Sequence, residues 1–331
     1  MRRAEHESVA EREPVRTAEP ILRVRDLSVD YGAMRAVSQV SFELHAGETL
    51  GVVGESGCGK STLGRALIQM PPPSEGSVEF EGNDLAALTG AELRKRRLDM
   101  QMVFQDPRSS LHPKRTVEQI VAEPLVIWRR GNRASRAEVV AEALRAVGLD
   151  PDIHGSRRPG ALSGGQCQRV AIARALVAGA RVLVCDEPIS SLDVSLRATV
   201  LNLLEDLKAE RDLTLVFIAH DLAVVRNISD RIMVMYLGTV VEVSESAELF
   251  EAPLHPYTRA LIASVPRARA DGAPSAPAIH GEPPSPHDIP SGCRFRTRCP
   301  LATELCALEE PVLRDVPQHS GAEHLVACHY A

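Results

Sequence analysis

Residues 50–62 read Leu-Gly-Val-Val-Gly-Glu-Ser-Gly-Cys-Gly-Lys-Ser-Thr. Leu50–Val53 patterns as a short buried strand, residues 54–61 satisfy GxxxxGK[ST], and Lys60–Gln69 reads as a helix. A strand, a glycine-rich loop and a helix in this order make an anion cradle. The glycines Gly54, Gly57 and Gly59 let the chain turn so that N–H groups through Glu55, Ser56 and Cys58 face phosphate oxygens, helped by the N-terminus of the helix. Lys60 would reach the β and γ phosphates, Ser61 would ligate Mg²⁺ and Thr62 would extend the hydrogen bonding. The expected ligand is ATP with Mg²⁺. The bland reading, a glycine-rich turn with a surface lysine, leaves the complete motif in its strand–loop–helix setting unexplained.

A second segment, Leu162-Ser-Gly-Gly-Gln166, places Ser163, Gly164, Gly165 and Gln166 at the start of a helix and so predicts another anion site. The apolar run Val182–Cys185 ends directly in Asp186 and Glu187. Beside a phosphate loop, Asp186 suits Mg²⁺ held through water, and Glu187 suits a general base acting on the attacking water. His220 closes a further apolar strand; alone, such a histidine is more often a structural hydrogen bonder.

Around these segments, β-rich runs (Gln101–Phe104, Arg181–Cys185, Thr214–Ala219, Arg231–Leu237) alternate with helical ones (Ala137–Val147, Gly164–Ala178, Val194–Glu210). The alternation predicts an α/β domain with a mainly parallel sheet over residues 21–265, and with the loop of residues 54–61 it resembles a P-loop NTPase. Residues 1–20, rich in Glu and Arg, read as a disordered leader without the apolar stretch of a secretory signal. The proline-rich segment 266–290 reads as a linker, and 291–331 as a small tail. With 331 residues, 44% of them hydrophobic, the chain can bury a large core, and its net charge of −6 without a long basic run argues against nucleic acid as partner. Its apolar runs are too short to cross a bilayer, so any membrane role is expected through a partner, on the cytoplasmic side.

Taken together, these segments resemble the nucleotide-binding subunits of ABC transporters. Residues 54–61 match the Walker A loop, 162–166 the signature, and Val182–Asp186 with Glu187 the Walker B strand and its glutamate. Gln105 matches the Q-loop glutamine, counted with Ser61 and Asp186 around Mg²⁺. Ser190–Asp193 matches the D-loop, His220 the switch histidine, and Tyr31 the aromatic that stacks on adenine. The resemblance implies a helical subdomain at about 106–175, and a head-to-tail dimer in which the signature of one protomer completes the ATP site of the other. Narrower stretches, Val103-Phe-Gln-Asp-Pro-Arg-Ser-Ser-Leu-His-Pro, Cys185-Asp-Glu-Pro-Ile-Ser-Ser-Leu-Asp-Val-Ser, His255-Pro-Tyr-Thr-Arg-Ala-Leu and Gly281-Glu-Pro-Pro-Ser-Pro, resemble oligopeptide and dipeptide importer ATPases of the second-subunit type. That type implies a second, different ATPase, two transmembrane permease subunits and an extracytoplasmic solute-binding protein. Importers of another solute such as nickel share the subfamily, and a non-transport ABC ATPase is the alternative of a different class. The loop Asp106–Arg115 is the expected permease contact, with Leu111 as its probe.

Seven cysteines in such a chain argue against a disulfide framework. Cys167 and Cys185 read as packed residues, while Cys58, inside the loop at a helix N-terminus, is expected to have a lowered pKa and to react with alkylating agents. Cys293, Cys299, Cys306 and Cys328 leave five, six and twenty-one residues between them, which is no C-x₂-C knuckle. Their crowding in a tail too short for a core of its own suggests a metal staple. Some related peptide-importer ATPases hold a [4Fe-4S] cluster in a matching tail, which ranks a cluster first, zinc second and packed free thiols third. His319, His324 and His329 read as solvated.

Overall fold

The computed structural model describes residues 19–265, 281–317 and 323–331. Most of the leader, residues 266–280 of the proline-rich segment, and His319 lie outside the described residues. In chain order the strands are β1 (Leu22–Tyr31), β2 (Met34–Leu44), β3 (Thr49–Val53), β4 (Glu75–Phe80), β5 (Asn83–Asp84) and β6 (Met100–Val103). They continue as β7 (Val182–Asp186), β8 (Thr214–Ile218), β9 (Arg231–Tyr236), β10 (Thr239–Glu245), β11 (Arg314–Asp315) and β12 (Leu325–Val326).

These strands form an antiparallel sheet of order β2-β1-β4-β5 and a larger sheet of order β11-β12-β10-β9-β3-β8-β7-β6. In the larger sheet β9, β3, β8, β7 and β6 run parallel, while β10, β12 and β11 extend one side antiparallel. The parallel strands are buried on both faces, which is why β3, β7, β8 and β9 read as unbroken apolar runs rather than as alternating ones. This is the mixed α/β fold of P-loop NTPases. The helix Lys60–Leu67 packs on β7 and β8 so closely that a Cβ on Gly64 would lie 2.6 Å from Ile218 Cδ1.

The helices Val117–Val121, Glu123–Ile127 and Arg133–Ala146 gather on the helix Gly164–Ala178. That last helix is capped by a reciprocal pair, Ser163 with Gln166, and ends on Gly179 at φ +89°, a conformation that favours glycine. Leu111 is buried at 2% exposure in the core shared with these helices. It therefore cannot face a partner as its loop position suggested; its apolar side chain is claimed by the core, and the exposed apolar residues nearby are Val126 and Ile127 instead.

The C-terminal tail is a part of the large sheet. β12 pairs with β10, and β11 with β12. Beneath this pairing, Glu242 and His324 are both fully buried, with His324 Nε2 2.7 Å from Glu242 Oε1. The Glu242 carboxylate also accepts from the backbone N–H groups of Leu254 at 2.7 Å and His255 at 3.0 Å. His324 is thus the opposite of the solvated residue expected from sequence: burial selects it as the tail's polar anchor. Burial also pushes the His255 imidazole down to about 4, against the opposing pull of Glu242. Removing one member of a buried pair of this kind costs about 3–5 kcal/mol, because the other is left buried and uncompensated. His324→Ala is accordingly expected to lower the urea-unfolding free energy by about that much; a loss below about 1 kcal/mol would show that the pair does not anchor the tail.

Candidate active site

Four neighbouring parallel strands, β3, β8, β7 and β6, end on one edge of the sheet, and the chemistry gathers just beyond those ends. After β3 the phosphate loop turns with φ +153° at Gly54 and +104° at Gly59. A Cβ at Gly54 would lie 2.2 Å from Met235 O, and one at Gly59 2.4 Å from Ala36 O, so both positions exclude a side chain. Lys60 follows at the first helical turn, 5% exposed, its Nζ donating to Gly54 O at 2.8 Å and Glu55 O at 2.9 Å. The ammonium is therefore held over the loop by the loop's own carbonyls.

Ser61 Oγ donates to Asp186 Oδ1 at 2.6 Å, joining the loop to the end of β7. Asp186 is 1% exposed, and its carboxyl is pushed up by burial, with the Ser61 hydroxyl, Arg65 and Lys60 opposing and Glu187 reinforcing. Next along, Glu187 takes the left-handed conformation, φ +46°, with its N–H bonded to Ile218 O at 2.9 Å. A non-glycine residue held there stores strain that the surrounding hydrogen bonds must overcome. Gln105 Nε2, beyond β6, donates to Glu187 Oε2 at 3.0 Å, and His220 Nδ1, beyond β8, lies 3.4 Å from the same oxygen. Four strand ends thus deliver Lys60, Ser61, Asp186, Glu187, Gln105 and His220 to one locus.

A cavity of about 240 Å³ opens there, lined by Ser56, Gly57, Gly59, Lys60, Ser61, Thr62, Gln105 and Glu187. Met34, Arg35, Ala36, Leu237, Gly238, Pro286 and Ile289 complete its wall. Sequence reasoning missed Pro286 and Ile289, because a proline-rich segment carries no sign of what it packs on. Tyr31 pairs with Met34 at the β1–β2 hairpin and stays 45% exposed; Met34 is on the wall and Tyr31 is not. Ser163, Gly164, Gly165 and Gln166 lie at their helix N-terminus and are not on this wall either, nor is Asp193, which caps the helix Val194–Arg211 by accepting from Leu196 N at 3.0 Å.

Cys58 departs from expectation. It is 3% exposed, and burial pushes its thiol up, with Lys60 opposing and Glu55 adding to the rise. Packing of the loop against β9 and the residues after it thus outweighs the helix N-terminus, and Cys58 is a buried thiol rather than the reactive thiolate expected from sequence. Cys167 is wholly buried with its Sγ 3.6 Å from Pro159 O, a packed residue as expected.

Comparison with known proteins gives this geometry a family. Residues 37–190 match the model described as ABC transporter, and residues 241–306 that described as oligopeptide/dipeptide transporter, C-terminal region. The oligopeptide transport ATP-binding protein AppF of Bacillus subtilis is 48% identical over 301 residues, 90% of each chain. The chain belongs to the ABC transporter ATP-binding family. The di/tripeptide transport ATP-binding protein DppF of Pseudomonas aeruginosa is 46% identical over 323 residues, 95% of this chain and 98% of that one. Among solved structures, cbiO1 of Clostridium perfringens, part of the cbiONQ ABC transporter complex, superposes with TM-score 0.65 at 28% identity, covering 71% of this chain and 92% of that one. An ATP-binding cassette solved as a dimer in a post-hydrolysis state with ADP and phosphate gives 0.63 at 30% identity, covering 68% and 98%. As an ABC ATP-binding protein, this chain is an ATPase.

The ABC ATPase's cysteine tail is a separate matter. Cys293 is pushed up to about 11, first by burial and further by Cys306, Cys299 and Cys328, with the Phe295 N–H opposing. Cys293 also donates its N–H to Cys306 O at 2.8 Å, which brings these two cysteines together. Yet among the described residues no group of three or more His, Cys, Asp or Glu side chains is arranged to hold a metal ion. The tail as folded does not present the ligand shell that a [4Fe-4S] cluster or zinc requires.

Proposed function

We propose that this chain is the subunit that binds and hydrolyses ATP to energise import of oligopeptides and dipeptides through a membrane transporter. The observation that carries the ATPase chemistry is the Glu187 carboxylate, gripped by Gln105 and facing His220 at the rim of the cavity that Lys60 and Ser61 line. The relatives AppF and DppF, an oligopeptide and a di/tripeptide transport ATP-binding protein, support the substrate class.

In this reading Lys60 neutralises the β and γ phosphates, and the N–H groups of residues 54–61 cradle them. The oxygen pair Ser61 and Asp186, 2.6 Å apart, is chemically suited to Mg²⁺, Asp186 acting through water; the ion would offset the charge that develops on the transferred phosphoryl group. Glu187 accepts a proton from the attacking water, while Gln105 and His220 fix its carboxylate in the direction of the cavity. Tyr31 stacks on adenine. Ser163, Gly164, Gly165, Gln166 and Asp193, absent from the wall of this cavity, serve the cavity of a second ATPase subunit packed head to tail. That subunit is of different sequence in the second-subunit type.

In this reading the permease docks on the helical subdomain, and a groove of about 820 Å³ lined by Glu118, Gln119, Val126 and Ile127 supports this. Val126 and Ile127 are 54% and 66% exposed on a chain in which no described helix is long and apolar enough to cross a membrane. On the same reading the chain attaches to the cytoplasmic face through two permease subunits, with a solute-binding protein outside.

The test is to isolate the chain from detergent-solubilised native membranes and identify what accompanies it by mass spectrometry. Two multispanning permeases, a second ATPase and a solute-binding lipoprotein are expected. Recovery with ribosomal or DNA-repair proteins, or alone, would overturn the transporter role and leave the ATPase intact.

A further inference from the structure

We propose that Arg298, carried by the C-terminal tail, is a positioning residue of the ATP site: it neutralises Glu55 and holds the phosphate loop in its binding shape. Glu55 is the second residue of that loop, and its three polar groups have three different holders. Its N–H donates to Tyr257 Oη at 2.8 Å, and its carbonyl accepts from Lys60 Nζ at 2.9 Å. Its carboxylate accepts two bonds from Arg298, Nη1 at 2.7 Å and Nη2 at 3.0 Å. Only the second of the three holders comes from within the loop.

The chemistry of the pair is what ties it to the nucleotide. ATP brings several negative charges to the loop, and a bare carboxylate on the loop's second residue would repel them. A planar guanidinium that grips both carboxylate oxygens removes that repulsion and fixes the direction of the side chain at once. Arg298 is suited to both, since its side chain is only 6% exposed while that of Glu55 is 25% exposed, so solvent screens the pair weakly. Its guanidinium also lies over the Tyr236 ring, 5.9 Å from the centroid, with Nη1 3.4 Å from Tyr236 Oη.

The rest of the tail holds Arg298 in place. Phe295, 2% exposed, meets Tyr236 edge-on at 5.2 Å and Tyr257 at 5.3 Å, the two tyrosines that flank Glu55 and Arg298. A second tail arginine, Arg294, donates to Leu237 O at 2.6 Å and Ser38 Oγ at 3.1 Å. The next residue, Gly238, gives its N–H to Cys58 O at 2.9 Å, inside the loop. The tail therefore touches the phosphate loop directly through Arg298 and indirectly through the Leu237–Gly238 backbone that Arg294 holds, and affinity for ATP depends on the tail being docked.

This inference rests on residues 54–61 being the ATP site, and the experiment separates the two. MgATP affinity is measured by titration of a fluorescent ATP analogue and by competition with ATP, alongside kcat and KM, on the full chain and on Arg298→Ala, Arg298→Lys and Arg298→Ala/Glu55→Gln. Arg298→Ala is expected to raise Kd and KM about tenfold, with kcat changed less than about twofold. Arg298→Lys, which keeps the charge and loses the fork, falls between. The double variant returns to within about threefold of the wild-type Kd, because the charge that Arg298 compensated is gone. A Kd for Arg298→Ala within twofold of wild type would overturn the proposal. So would a double variant as weak as Arg298→Ala, since a merely structural loss is not repaired by removing a charge. Failure of the wild-type chain to bind MgATP would instead strike the ATP site itself.

Discussion

Glu187→Gln is expected to lower kcat for ATP hydrolysis by at least about 10²-fold while leaving MgATP affinity within a few-fold of the wild type. The carboxylate is held at the rim of the cavity by two other side chains, Gln105 Nε2 at 3.0 Å and His220 Nδ1 at 3.4 Å. Glutamine keeps the size and can still meet a hydrogen-bonding partner, but it cannot take a proton from water. The loss should therefore fall on kcat and spare binding, the pattern of an interaction made only in the transition state. Equal losses in affinity and kcat, or a kcat within tenfold of wild type, would assign the base to another group.

Lys60→Ala should lower both MgATP affinity and hydrolysis, unlike Glu187→Gln, which spares affinity. The ammonium is 5% exposed and held by Gly54 O and Glu55 O over the loop, so the site is organised around a charge that alanine removes. Charge-assisted hydrogen bonds contribute about 1.5–3 kcal/mol each, which converts to roughly 10- to 150-fold in MgATP affinity for a single lost contact. Hydrolysis would fall further because the same charge stabilises the phosphoryl oxygens in the transition state. Isothermal titration with MgATP gives the number directly; an affinity within threefold of wild type would mean that Lys60 serves the loop's shape and not the nucleotide.

What sequence disclosed of this molecule was local. The eight-residue loop after an apolar strand, and the Asp186–Glu187 pair closing another, each carry their chemistry in consecutive residues, and the parallel strands announce themselves as short apolar runs because both faces are buried. The features that escaped are contacts between distant segments. Glu242 and His324 stand 82 positions apart and Arg298 stands 243 from Glu55, with no periodicity to link them. β12 has two residues, too few for any alternation to register, yet it sets the tail against the large sheet.

Burial is the other quantity that local pattern does not carry. Cys58 follows a rule about helix N-termini until packing encloses it, and Leu111, in a loop of polar residues and prolines, turns inward to the core. Pro286 and Ile289 look like spacer composition and form cavity wall. In each case the local rule was sound, and tertiary contact outweighed it.

The most direct test of the account is ATP-driven uptake of a mixed dipeptide to pentapeptide pool by proteoliposomes carrying the complex purified through this chain, with ATP on the side where the chain sits. Peptides should accumulate with the wild-type chain and fail to accumulate with Glu187→Gln at equal assembly and equal ATP binding. Accumulation undiminished by Glu187→Gln would contradict the claim that hydrolysis at this site drives peptide import.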